Sequence, residues 1–161
     1  MSRKVNPAGP PAVPRPGEGK RGPKGHLGYL VRQASVAVRA AMEKVLADID
    51  ITPPQFSVLT MIVAYPGLSG ADLARLTFLT PQTINVIVRN LARAGAIDKT
   101  AHATHGRILR LTATAKGQGL LKRCRARVME VEDRLAGLLG RDDERIVRRW
   151  LSAVGEALGA R

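Results

Sequence analysis

Between Thr80 and Ala94 the residue types and their spacing suit one kind of chemistry. Wound as a helix, Ile84, Ile87, Val88 and Leu91 share one face, while Gln82, Val86, Arg89 and Arg93 share the opposite one, flanked by Thr83 and Asn90. A glutamine amide can bond an adenine edge, an arginine fork can bond a guanine edge or a phosphate, and a valine or threonine methyl can meet the methyl of thymine. The outer row is about 16 Å long at 1.5 Å per residue, and the major groove of B-DNA admits one α-helix. The candidate DNA contacts of this segment are therefore Thr80, Pro81, Gln82, Thr83, Asn85, Val86, Arg89, Asn90 and Arg93, with Thr80 and Asn90 anchoring the backbone. Many helices carry such a face for solvation alone, so the residue types point to nucleic acid without deciding for it.

Downstream lies a second basic group: Lys99, His105, Arg107 and Arg110, in a stretch that reads as strand, polar Gly-containing loop and returning strand. Arg107 is the candidate for a minor-groove contact, because a narrow groove concentrates negative potential. Lys99 and Arg110 are placed near phosphate. Other chemistries lack their residues. His102 and His105 are close in sequence, but His26 is remote and the loop holds no acidic partner, so no metal site is expected. The single cysteine, Cys124, falls on an apolar helical stripe and reads as a buried, inert thiol. There is no Gly-rich phosphate loop after a strand, no HExxH and no paired carboxylates, so neither an enzyme nor a cofactor is expected.

Composition agrees with a polyanionic partner. The 161 residues carry 26 Lys and Arg against 13 Asp and Glu, a formal charge of +13, with 45% hydrophobic residues, enough for one folded domain. A lone cysteine gives no disulfide framework and fits a reducing compartment. No apolar run approaches a membrane span, and the basic start, Met1 to Lys4, leads into Pro and Gly rather than an apolar stretch, so neither a membrane association nor a secretory signal is read. Residues 1–26 hold six of the ten prolines, five of the sixteen glycines and six basic residues against Glu18 alone, and read as a flexible basic tail. The tail's charge could contribute phosphate contacts or serve solubility alone.

These groups need elements to hold them. Apolar residues from Leu27 to Ile49 recur at helical spacing. Thr52-Pro53-Pro54-Gln55 has the form of a capping box opening a helix that ends near Pro66-Gly67. Ser69 caps a short helix through Asp72, Leu73 and Ala74, and Thr80-Pro81 opens the next, which ends at Gly95. Strands are expected over Ile97–Thr100 and Ile108–Leu111. Thr112 is expected to open a long helix that Gly140 stops, and Asp142-Asp143-Glu144 to start the last one, with Ile146, Val147, Trp150, Leu151, Val154 and Leu158 on its stripe. The fold class is α+β, mostly α: a winged helix-turn-helix with six helices and a two-to-three-stranded wing.

Residue order adds a resemblance. Ile51-Thr52-Pro53-Pro54-Gln55-Phe56-Ser57-Val58-Leu59 resembles the second-helix opening of the MarR family of bacterial transcription regulators, and Ser69-Gly70-Ala71-Asp72-Leu73-Ala74 is similar to that family's next helix. Thr80 through Ile97 is similar to its recognition helix and the turn into the wing, and Gly106-Arg107 with Leu111-Thr112 and Gly117 to the wing's far side. The resemblance spans about 27–158. It implies a homodimer on the double-stranded DNA of a pseudo-palindromic operator, probed by two recognition helices about one helical turn apart. It also implies a possible small-molecule effector that loosens DNA binding. Within it, residues 27–161 form the family domain, with a helix-turn-helix core near 52–111 and dimerisation helices near 27–49 and 112–159. A ligand-responsive repressor, cytoplasmic and nucleoid-associated, is the implied role; the rival is a protein that coats nucleic acid without sequence preference. One departure is His105, where family wings often carry an aspartate two residues before the arginine. An imidazole leaves Arg107 without that internal competitor and, once protonated, adds attraction to phosphate.

Overall fold

The computed structural model describes residues 13–101 and 109–159. The chain divides into two compact units, residues 1–39 and 40–161. Its helices are α1 (Leu27–Leu46), α2 (Pro53–Ala64), α3 (Gly70–Thr77), α4 (Pro81–Arg93), α5 (Ala115–Ala136) and α6 (Arg141–Leu158); strands β1 (Ile97–Ala101) and β2 (Leu109–Ala113) lie between α4 and α5. Six helices and a small antiparallel wing are thus present as the spacing implied.

Local chemistry sets the helix starts. At α2 the Thr52 amide donates to Gln55 Oε1 at 2.8 Å and the Gln55 amide to Thr52 Oγ1 at 3.4 Å, the expected reciprocal box. Pro54 follows Pro53 at no cost, since the first helical amides have no partner within the helix. Across the wing, Ile97 pairs with Ala113, Lys99 with Leu111 and Ala101 with Leu109. The third strand is only a bridge: Gly67 N donates to Leu111 O at 2.9 Å and Leu111 N to Leu68 O at 3.1 Å, which fastens β2 to the α2–α3 loop.

The core of the 40–161 unit gathers Val58, Leu59 and Ile62 of α2, Leu73 of α3, Ile84, Ile87, Val88 and Leu91 of α4, Leu111 of β2, and Leu121, Cys124 and Val128 of α5. Each such side chain contributes about 1.5 to 3 kcal/mol on leaving water. Among the described residues no charged or polar side chain is buried in it. α6 behaves differently: it begins with Asp142, Asp143 and Glu144 at the positive end of its dipole, yet buries none of its residues.

Several boundaries differ from those read in the sequence. The first helix stops at Leu46 and tightens into a 3-10 turn over Ala47–Ile49, which lets Asp50 reverse the chain with φ +56°. Thr112 does not open α5, because β2 stays paired through Ala113 and Thr114 is the cap. Gly140 does not stop α5; the helix ends at Ala136 with Gly137 as its C-cap, and Gly140 caps α6 instead. The basic segment read as a flexible tail is described from Val13 onward, where it is a hydrogen-bonded turn.

Candidate nucleic-acid interface

The reading surface is built on two short helices. At α3 the Ser69 amide donates to Asp72 Oδ2 at 2.9 Å, the Ser69 hydroxyl to the same oxygen at 2.6 Å, and the Asp72 amide to Ser69 Oγ at 3.2 Å. The Ser69 hydroxyl, then the Ser69 amide, hold the Asp72 carboxyl below the usual carboxylate range, with help from the Arg75 guanidinium paired to it and against partial burial. At α4 the Thr83 amide donates to Thr80 Oγ1 at 3.2 Å, and the two threonine hydroxyls bond each other at 2.9 Å. Pro81 occupies the first turn, where its missing N–H is no loss.

These caps fix the rotation of α4. Ile84, Ile87, Val88 and Leu91 are buried; Thr80, Pro81, Gln82, Thr83, Asn85, Val86, Arg89 and Arg93 are exposed; Asn90 is half-buried at the edge. Val86, an aliphatic residue, is 48% exposed at the centre of this face, so the packing leaves a methyl pair pointing outward. No carboxylate interrupts α4, so its outer surface carries the charge of Arg89 and Arg93 unopposed within the helix. Asn85 is set apart from the central row. It lines a groove of about 340 Å³ between the start of α3 (Ser69, Gly70, Ala71), Val88 and the wing residues Leu109 and Leu111.

The wing divides its cations. Lys99 pairs with Leu111, and Arg110 with Thr100. Side chains alternate along a strand while directly opposed residues share a face, so Lys99 and Arg110 stand on opposite faces of the hairpin. Both are exposed, and Arg110 runs beside Gly67. Near each other in sequence, they are separated by strand pairing. His105 and Arg107 lie outside the described residues, as does His102.

A tight joint holds wing, α4 and α5 together. Thr114 Oγ1 donates to Gly95 O at 2.7 Å and accepts from Gly117 N at 3.0 Å, while Thr114 N donates to Ala96 O at 3.1 Å. A Cβ on Gly117 would stand 1.9 Å from Ala96 O, so only glycine lets α5 approach this turn. Lys116 lies over the same turn, its Nζ about 4.0 Å from where a Gly95 Cβ would be. It extends the cationic surface near the C-terminal end of α4 and was absent from the residues singled out by sequence. A signal existed, since a lysine in the first turn of a helix opposes the dipole and asks for an external anion. Cys124 is fully buried, and burial pushes its thiol up against the pull of Arg123. Among the described residues no three His, Cys, Asp or Glu side chains gather as a metal site, and no helix is long and apolar enough to cross a membrane.

Comparison with known proteins places this geometry. The family model described as the MarR family matches residues 49–108, from the turn before α2 to the wing. The HTH-type transcriptional repressor Rv2887 of Mycobacterium tuberculosis is 36% identical over 129 residues, which cover 80% of this chain and 93% of that one. The chain belongs to the MarR family. The crystal structure of the MarR-family protein Rv2887 in complex with p-aminosalicylic acid matches this MarR-family chain with a TM-score of 0.66 at 35% identity, covering 81% of this chain and 98% of that one. The transcriptional repressor CouR, solved bound to a 23-mer DNA duplex, matches with a TM-score of 0.75 at 29% identity over 81% of this chain and 92% of its own.

Proposed function

We propose that this MarR-family chain is a sequence-specific DNA-binding transcription regulator, a repressor that acts as a homodimer on a pseudo-palindromic operator and is released by a small molecule. The observation that carries the reading is the sorting of α4: four aliphatic residues are buried, and Gln82, Thr83, Val86, Arg89 and Arg93 stand exposed on a helix without a carboxylate. Such a face meets base edges and phosphates at once. Gln82, Thr83, Arg89 and Arg93 make base or phosphate contacts, Val86 faces a thymine methyl, and Thr80 with Asn90 anchors the backbone. Lys99, Arg110 and Lys116 approach phosphate from separate directions. Arg107 is the minor-groove contact and His105 adds attraction to phosphate once protonated.

The exposed stripe of α6, with Ile146, Trp150, Leu151 and Leu158, supports pairing with a second copy about a two-fold. Residues 27–161 then form the working domain, with 27–49 and 112–159 serving the dimer and 1–26 a basic leader. Because Rv2887 is solved with p-aminosalicylic acid, aromatic carboxylic acids are the first effector class to assay. A regulator of this kind works in the cytoplasm at the nucleoid and carries no reaction of its own. A ligand releases DNA only by preferring a spacing of the two α4 helices that the operator disfavours.

The deciding experiment is to sequence the genomic fragments selected by the purified protein, then measure their binding against random duplex across a salt series. A recurring two-fold motif whose binding survives competitor DNA is the expected result. Fragments without a common motif, displaced equally by any duplex, would leave the coating protein as the better reading.

A further inference from the structure

Residues 13–26 fold into a turn that leaves Arg15, Lys20 and Lys24 outside. The backbone closes through a 3-10 turn over Gly19–Arg21, with Gly17 N donating to Arg21 O at 3.0 Å and Gly25 N to Gly22 O at 2.8 Å. Gly22 is buried, and a Cβ there would stand 2.0 Å from Gly17 O, so the two arms of the turn meet only because this residue has none. The Arg21 guanidinium staples the turn, its Nη1 donating to Pro14 O at 2.9 Å and its Nε to Gln33 Oε1 of α1 at 3.3 Å. Glu18, the one carboxylate of the first 26 residues, is used inside the turn, where its Oε2 accepts the Arg15 amide at 2.9 Å. Arg15, Lys20 and Lys24 remain exposed within ten residues of chain, and Arg3 and Lys4 precede them in sequence.

We infer that this stapled turn is a second phosphate-binding surface of the protein, and that its partner is the backbone of duplex DNA. The inference rests on the proposed function for the presence of DNA. Arg21 is the positioning residue; Arg15, Lys20 and Lys24 are the contacts. Three exposed cations carried on ten residues of folded chain displace condensed counterions from a duplex, a gain independent of sequence. The alternative polyanion, an anionic membrane, asks for apolar side chains to insert beside the charge. The first 26 residues contain no Leu, Ile, Phe, Tyr or Trp. The surface therefore adds affinity without specificity and makes binding steeper in salt than α4 and the wing alone provide.

The test compares the full chain with an R15Q/K20Q/K24Q variant, which leaves the Arg21 staple intact. The probes are a duplex selected by the wild-type chain and a scrambled duplex, each titrated from about 50 to 200 mM salt, the range over which phosphate contacts dominate. The slope of log affinity against log salt should fall by about 0.9 for each contact removed, to the same extent on both duplexes, with the preference between them kept. Unchanged slopes on both duplexes overturn the inference, and so do unchanged slopes accompanied by lost binding to phosphatidylserine vesicles. A wild-type chain that does not distinguish the two duplexes counts against the proposed function, while the slope comparison on the scrambled duplex still decides this one. The same measurement on R21Q isolates the staple: a slope reduced beyond one contact indicates that the turn must be held to act.

Discussion

Helices α4 and α6 divide their residues between an apolar and a charged face to a similar degree, yet the fold treats them oppositely. The apolar side of α4 is covered by α2, α3 and β1, and Ile84 is 1% exposed. Among the described residues the apolar side of α6 stays largely open: Ile146, Leu151 and Leu158 are exposed, Trp150 is 38% exposed, and Val147 and Val154 are half-buried. A sorted helix announces that something covers it, and only packing says whether the cover is the same chain. For α4 the answer leaves a polar face available to a ligand. For α6 it leaves an apolar face available to a partner.

The contrast can be broken at either helix. The largest effect is expected from Ile84→Ala on the inner face of α4, where loss of a buried isoleucine should cost about 2 to 5 kcal/mol in urea denaturation. A cost under about 1 kcal/mol would mean that this face is not core. Trp150→Ser on α6 should leave the folded chain intact but raise the dimer dissociation constant about thirtyfold, equivalent to about 2 kcal/mol. Sedimentation equilibrium reads this directly, and a mass that matches wild type at every concentration would remove α6 from the interface. On the outer face of α4, Arg89→Ala should change stability by less than about 0.5 kcal/mol while weakening binding to the selected duplex by about 1 to 3 kcal/mol. A stability loss larger than the binding loss would assign Arg89 to the fold rather than to DNA.

The smallest effect lies in the cap of α3. Ser69→Ala should cost about 1 kcal/mol, as N-cap losses do. Asp72 titrates below the usual carboxylate range in the folded chain, first because of the Ser69 hydroxyl and then the Ser69 amide. Its stabilisation is therefore complete above the unfolded carboxylate pKa, about 4, and is lost as pH falls through the lower folded value. Thermal denaturation of Asp72→Asn should show a flatter decline below about pH 4 than wild type, and parallel declines would count against the assignment.

What could be read in the sequence was whatever depends on near neighbours. The division of α4 into buried and exposed faces follows from a period of 3.6, and the boxes at Thr52–Gln55 and Ser69–Asp72 join residues three positions apart. Gly140 was misplaced because a glycine after an apolar stripe can end one helix or cap the next, and Gly137 was equally available. Lys99 and Arg110 look like one group in sequence because strand register is set by partners farther along the chain, Leu111 for Lys99 and Thr100 for Arg110. The Arg21 staple is invisible in sequence for the same reason: its partner Gln33 lies twelve residues along the chain. Lys116 was overlooked although its place in a first turn was itself the signal.

The joint at Thr114, Gly95 and Gly117 has a mechanical meaning. Because the entry of α5 is bolted to the exit of α4 through Ala96, the two helices cannot hinge independently at that point. The 22 residues of α5 make a rod about 33 Å long, so a tilt of about 5° at the bolt swings its far end through about 3 Å. Run in reverse, a displacement of that size near Glu132 would bear on the outer face of α4 through this joint, the 22-residue helix serving as a lever and a glycine as its fulcrum.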